Sequence, residues 1–431
     1  MKYEEALNWI HGLYRFGSNL GLERVTKLME LLDNPQDKFR SVHVAGTNGK
    51  GSTAAFLAQI LQAEGLSVGL YTSPYIEAFT NRMALNGHDI GEAELVELVK
   101  QVKWAVDELA ASAIGQPTEF EVVTALAFTY FAQNAPDWVV VEVGLGGRLD
   151  ATNVITPTVS VITNIALDHT DVLGGTIAAI AGEKAGIIKP GVPVVTGAQK
   201  DEALAVFQQV AAERQSPLYA IDHDFTEEVT ASSLAGLTFS YQSPWHQLSD
   251  LQVQLLGRHQ ARNASVAIAA RELLPLPFSE EAVREGLRKT MWPGRLEVFS
   301  QQPLVMVDGA HNPDGVLALR SALLELLGDR KLRLVIGILG DKAVEEIVGV
   351  IAPLAQAGII VTTPNNPRAA DPYVVAELVR KFAGNTPVEV VPEIQAAVQQ
   401  AVAITQPNEA LCVSGSLYTI SEAREVLKNI Y

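Results

Sequence analysis

Residues 43–53, HVAGTNGKGST, set three glycines about a lysine and then supply two hydroxyls. That order suits phosphate capture. Successive backbone N–H groups form a concavity, a following helix adds positive potential at its N-terminus, and Lys50 adds a full charge. The common phosphate-loop pattern, G-x-x-x-x-G-K-[ST], wants glycine where Val44 stands and a hydroxyl where Gly51 stands, so two of its fixed positions are missing. The competing reading is a plain strand-to-helix turn in which Ser52 caps the helix.

Other residues invite chemistry. Glu142 ends the apolar run WVVVEVG, and a carboxylate at a buried strand end is costly without a partner or a task. His169, in LDHTD, is either a helix-capping or core histidine or a ligand. Lys184, in AGEKAGI, lies in an apolar helix of small residues, where a lysine by itself is expected to snorkel to solvent. MVDGAHNPDG offers Asp308 and His311 at a strand end, with Asn312 or Asp314 as alternative helix caps. Gly144 and Gly146 suggest a dinucleotide fingerprint, but Leu149 occupies the third glycine's place.

The motif G-T-N-G-K-G-[ST] resembles the nucleotide loop of the folylpolyglutamate synthase and dihydrofolate synthase family, within the ATP-dependent Mur ligase superfamily. Mur ligases themselves usually read G-T-x-G-K-[ST]-[ST]. LYTSPYIEAFTNR, VEVGLGGRLDATN, LDHTDVLGGTIAAIAGEKAGIIKPG and DGAHNPDG resemble further segments of that family, in order, over nearly the whole chain. The resemblance implies that Thr47, Asn48, Gly49, Lys50, Gly51, Ser52, Thr53, Asn263, Arg295 and Asp308 bind ATP. It implies Mg²⁺ on Ser73, Glu142 and His169, a carbamylated Lys184, catalytic roles for Lys50, Lys184 and His311, and a glutamate side formed by His311, Ser416 and Tyr418. The implied reaction joins L-glutamate to a folate carboxylate through an acyl phosphate, with dihydropteroate as a further acceptor and a monovalent cation left open. The alternatives are a Mur-type ligase of cell-wall precursors and a P-loop switch ATPase. Gly51 and the lack of a UDP-binding domain before the loop count against the former.

These residues need a scaffold that brings strand ends together. RSVHVAG, SVGLYTS, WVVVEVG, TVSVITN and VPVVTG are short continuous apolar runs, as in a parallel sheet covered on both faces, with helices such as GSTAAFLAQILQAEG and FEVVTALAFTYFAQ between them. From about Phe225 to Leu256 the weakly alternating texture predicts a small antiparallel appendage. After Pro293-Gly294 a second α/β series begins with PLVMVDG, LRLVIGILGD, GIIVTT and ALCVSGSL. The expected fold is α/β: a P-loop N-terminal domain over 1–295 with a mostly parallel sheet, and a smaller Rossmann-like domain over 296–431.

The composition agrees. The chain of 431 residues is 48% hydrophobic and 19% charged, as in a well-buried enzyme of two or more domains. A net charge of −17 disfavours a nucleic-acid surface but not an anionic substrate held locally by lysines, arginines and amides. The single cysteine, Cys412, reads as inert strand packing in a reducing compartment. No basic-then-apolar leader and no membrane-length apolar run is present, so a cytoplasmic, monomeric enzyme of small-molecule substrates is expected.

Overall fold

The computed structural model describes residues 1–16 and 21–431. Its first sheet contains β1 (Ser41–Ala45), β2 (Val68–Tyr71), β3 (Met83–Leu85), β4 (His88–Asp89), β5 (Trp138–Glu142), β6 (Val159–Ile162), β7 (Val194–Thr196) and β8 (Leu218–Ala220). They run in the order β4-β3-β2-β5-β1-β6-β7-β8, parallel from β2 to β8, with β3 and β4 antiparallel at one edge. Every residue of β1, β5 and β6 is buried, which is why these strands read as unbroken apolar runs. Successive side chains serve opposite cores. Trp138 and Val140 pack on the face shared with the helix Lys50–Ala63, and Val139 and Val141 on the face shared with Glu119–Asn134.

The appendage is a three-stranded antiparallel sheet of β9 (Thr226–Ser233), β10 (Gly236–Gln242) and β11 (Gln247–Val253). Its inner face, including Phe239, Tyr241 and Leu251, joins the core under the helix His259–Glu272. That helix and Glu280–Lys289 both pack on Lys50–Ala63, so the phosphate-loop helix is apolar on nearly all sides.

Glu297 starts the second sheet. It comprises β12 (Glu297–Gln301), β13 (Leu304–Val307), β14 (Lys331–Ile336), β15 (Gly358–Val361), β16 (Val388–Val390) and β17 (Glu409–Ser414), in the order β12-β13-β17-β14-β15-β16. All pairs are parallel except β12 with β13. Cys412 is buried in β17 and its thiol is pushed up by that burial. No helix among the described residues is long and apolar enough to cross a membrane.

Candidate active site between two sheets

β1, β5 and β6 lie side by side, with Val44 opposite Glu142, so the loops after them meet at the carboxyl edge of the sheet. There they form one wall of a cleft of about 650 Å³ whose other wall comes from the second sheet's loops. Thr47, Asn48, Gly49, Lys50, Gly51, Ser52, Ser73, Glu142, His169, Lys184, Asn263, Arg295, Asp308, His311, Ser416 and Tyr418 all line it. Thr53 does not. It is fully buried one turn into the helix, with a hydroxyl that has no hydrogen-bond partner among the described residues.

The loop is built for an anion. Gly49, at φ +81°, begins the helix Lys50–Ala63 and supplies no capping side chain. The amides of Gly51 and Ser52 find no backbone acceptor among the described residues. Such leading amides are an anion site. Thr47 instead stitches the loop down: its N–H donates to Asn164 O at 2.9 Å and its hydroxyl to Ala166 O at 3.2 Å. Lys50 Nζ folds back onto the carbonyls of Gly46 and Thr47, both at 3.2 Å. Gly51 has a steric reason as well, because a Cβ there would lie 2.8 Å from the Trp292 indole.

Lys184 departs from the solvent-seeking expectation. The helix Ile177–Ala185 turns it inward, leaving it 4% exposed with Nζ donating to Gly46 O at 2.7 Å. Burial, with the nearby Lys50 charge, lowers its pKa to about 7. Glu142 is likewise buried, and burial holds its carboxyl above the usual range against the opposing pull of Lys50 and the Ser73 N–H. Its one hydrogen bond is from Ser73 N at 3.1 Å, and it has no ion pair among the described residues.

A polar seam joins the walls. Asn48 Nδ2 donates to Asn312 Oδ1 at 3.1 Å and Asp314 Oδ2 at 2.9 Å, while Asn312 Nδ2 donates to Asn48 Oδ1 at 2.9 Å and Asp168 Oδ2 at 3.0 Å. Asn312 also caps the helix Pro313–Leu326 by accepting from Gly315 N, so the capping alternative holds alongside a place in the site. Lys342 Nζ lies 2.6 Å from Asp168 Oδ1, and His311 Nε2 lies 3.6 Å from Asp168 Oδ2. Burial would raise Asp168, but the adjoining His311 ring and the Lys342 charge outweigh it and hold the carboxyl far below its ordinary value. His169 starts the short helix Thr170–Leu173 at φ +49° and points Nε2 at Lys342 Nζ, 3.3 Å away. Burial, helped by Lys342 against the opposing Asp168, lowers it to about 4 and keeps the ring neutral.

On the second wall Asp308 accepts from Leu296 N at 3.0 Å and Ala310 N at 2.9 Å, tying the strand end to the inter-sheet connection. His311 Nδ1 donates to Gly309 O at 2.9 Å. Ser416 is buried as the N-cap of the helix Leu417–Ile430, accepting from Thr419 N, and Tyr418 is partly exposed at the cleft. Asn263 Nδ2 donates to Gln260 Oε1 at 2.9 Å, and Arg295 reaches the cleft from the connection. Sequence reasoning misses Asn164, Asp168, Trp292 and Lys342. Asp168 stands beside His169 in LDHTD and was within reach; Lys342, in LGDK, carries no local signal.

Residues 44–271 match the Mur ligase middle domain, and residues 294–417 match the Mur ligase glutamate ligase domain. A dihydrofolate synthase/folylpolyglutamate synthase of Bacillus subtilis is 41% identical over 438 residues, covering 99% of both chains. The chain belongs to the folylpolyglutamate synthase/dihydrofolate synthase family. Two solved family structures align along its whole length. The Mycobacterium tuberculosis folylpolyglutamate synthase complexed with ADP has a TM-score of 0.92 at 32% identity and 99% coverage of each chain. A folylpolyglutamate synthase complex with AMPPCP and folate has a TM-score of 0.82 at 36% identity, covering 99% of this chain and 100% of that one.

Family membership implies Mg²⁺, and the residues present fit it in part. Glu142 offers a buried carboxylate without a cation, and the Ser73 hydroxyl has no hydrogen bond among the described residues; Mg²⁺ favours oxygen ligands with several retained waters. No group of three or more His, Cys, Asp or Glu among the described residues forms a ready cage. His169, neutral but engaged by Lys342, is a less direct donor.

Proposed function

We propose that this protein is an ATP-dependent ligase that joins L-glutamate to a folate carboxylate. The observation that carries the reading is the conjunction, in one cleft, of an amide-rich loop with Lys50 and a buried Glu142 that has no ion pair among the described residues, facing a second wall with His311. The loop amides and Lys50, released from its own carbonyls, hold the ATP phosphates. The folate carboxylate attacks the γ-phosphorus, the P–O bond to ADP breaks, and an acyl phosphate forms. The glutamate amine then attacks the acyl carbon and phosphate departs. Mg²⁺ bound at Glu142 and Ser73 would neutralise phosphate charge, with His169 assigned to a second position.

His311 is assigned to the incoming amine. Its Nδ1–H is committed to Gly309 O and its Nε2 lies 3.6 Å from the Asp168 carboxylate, so both ring nitrogens fix its orientation at the junction. Ser416 and Tyr418 form the remainder of the glutamate side, and Asn263, Arg295 and Asp308 the remaining nucleotide contacts. Lys184 is assigned as a carbamate, a neutral-amine precursor being favoured by its lowered pKa. A cleft between two walls excludes water from the acyl phosphate. We place the domain boundary at 295/296, the enzyme in the cytoplasm as a monomer, and a monovalent cation among the components to be tried in the assay.

The deciding experiment is incorporation of labelled glutamate with ATP, offering a reduced folate and dihydropteroate separately. ATP cleavage that depends on both acceptor and glutamate is expected. Cleavage without either would favour a switch ATPase, and dependence on a UDP-linked acceptor would favour a cell-wall ligase. Activity with dihydropteroate adds the dihydrofolate synthase reaction.

A further inference from the structure

A second set of charges joins the two walls away from the phosphate loop. The segment after β2 carries Ser73, whose N–H holds Glu142, and continues through Ile76 and Glu77. Arg424, on the helix Leu417–Ile430, is 3% exposed in its side chain and contacts two carboxylates. Its Nε and one terminal nitrogen meet Glu297 in a fork at 2.6 and 2.8 Å, and its other terminal nitrogen donates to Glu77. Lys428 also donates to Glu77, and Ser421 donates to the Ile76 carbonyl. Glu297 in turn accepts from Gly294 N at 2.7 Å, within the connection between the sheets.

One guanidinium therefore grips the Ser73 segment, the start of β12 and the inter-sheet connection together. The helix that bears it begins in the cleft at Leu417 and Tyr418, so about two turns of rigid helix separate the cleft from the grip. We propose that Arg424 is a positioning residue that, through Glu77 and Glu297, sets the spacing between the Ser73–Glu142 wall and the second wall at the moment of amide formation. Arg suits the task because its planar fork satisfies two carboxylates in fixed directions. Burial of the guanidinium makes a loose alternative geometry expensive. The inference rests on the ligase reading for its kinetic consequence, but the grip itself has a structural readout.

The test compares Glu77→Gln and Arg424→Gln in the full chain, with Lys100→Gln, which breaks the exposed Lys100–Glu97 pair within one helix, as a control. Labels at Glu108→Cys and Glu377→Cys report the distance between the two walls' domains, since the native Cys412 is buried and will not compete. The expected result is a broadened distance distribution, nucleotide binding within about twofold of the parent, and ligation kcat lowered by at least about tenfold, as small misplacements at reacting groups cost. If Arg424→Gln fails to fold, Glu77→Gln carries the test, because it leaves the Arg424–Glu297 fork intact. A parent that ligates, with variants keeping kcat within about twofold and an unchanged distance distribution, overturns the proposal. A parent that does not ligate overturns the ligase reading instead, and the distance distribution alone then decides whether the grip exists.

Discussion

Glu142 and Lys184 are ionisable groups buried at a cost to the fold, in opposite senses. Glu142's folded-state pKa is raised, so the folded protein holds this proton at pH values where the unfolded chain has released it. Stability from this group is present below the ordinary carboxylate range and lost as pH rises through the raised value. Glu142→Gln should therefore stabilise the ligand-free protein by about 1 kcal/mol at pH 8 while abolishing ligation. Urea unfolding at pH 8 and pH 5 checks the first part, the gain shrinking at the lower pH; retained glutamate incorporation would remove Glu142 from the site. For Lys184, lowered to about 7 from 10.5, the sign reverses: its contribution to stability grows as pH rises from about 7 toward 10.5 and is lost as pH falls through 7. Lys184→Met should lack that slope. In labelled bicarbonate the parent, but not this variant, should show a carbamate carbon by NMR, and a free amine in active protein would sink the assignment. The lysine's inward turn could not be read locally, because its acceptor, the Gly46 carbonyl, lies on a distant strand end.

At the scale of elements, the continuous runs of β1, β5 and β6 were legible because both sheet faces are covered, and the appendage because its strands half alternate. The strands β3, β4, β8 and β16 have two or three residues each and are too short to show a period. The loop's glycines were legible as phosphate chemistry, but the second reason for Gly51 was not. The Trp292 indole occupies the space a side chain would need, and only the packing of the connection on the first turn of the helix reveals it. Gly51→Val should force the indole aside, disturb that turn and weaken nucleotide binding by about tenfold. Adding Trp292→Ala should recover part of the loss, giving a coupling of about 1 kcal/mol in a double-mutant cycle of nucleotide affinities. Additive effects would show that the indole is a bystander.

The whole molecule places a cleft lined by Lys50, Lys200 and Arg295 inside a chain of net charge −17. Anions are thus drawn to one place, where the seam of Asn48, Asn312, Asp314, Asp168 and Lys342 also decides how the two walls meet. Asp168 and Lys342 are each nearly buried in their side chains, so removing the Asp168 charge leaves the Lys342 ammonium with only the neutral His169 ring beside it rather than merely deleting a surface pair. Breaking a buried pair in this way costs roughly 3 kcal/mol or more. Because the pair spans the two sheets' domains and lies in neither hydrophobic core, the loss should fall on their association. Asp168→Asn is accordingly expected to split thermal unfolding into two resolved calorimetric transitions and to lower ligation, with the variant's phosphate loop still binding nucleotide. The parent should unfold with the domains more closely coupled, and added nucleotide should draw the variant's transitions together, since a ligand touching both walls restores some of the lost coupling. A variant with the parent's unfolding profile and parental ligation would mean that the remaining amides of the seam suffice, and that the charge pair is not what holds the walls in register.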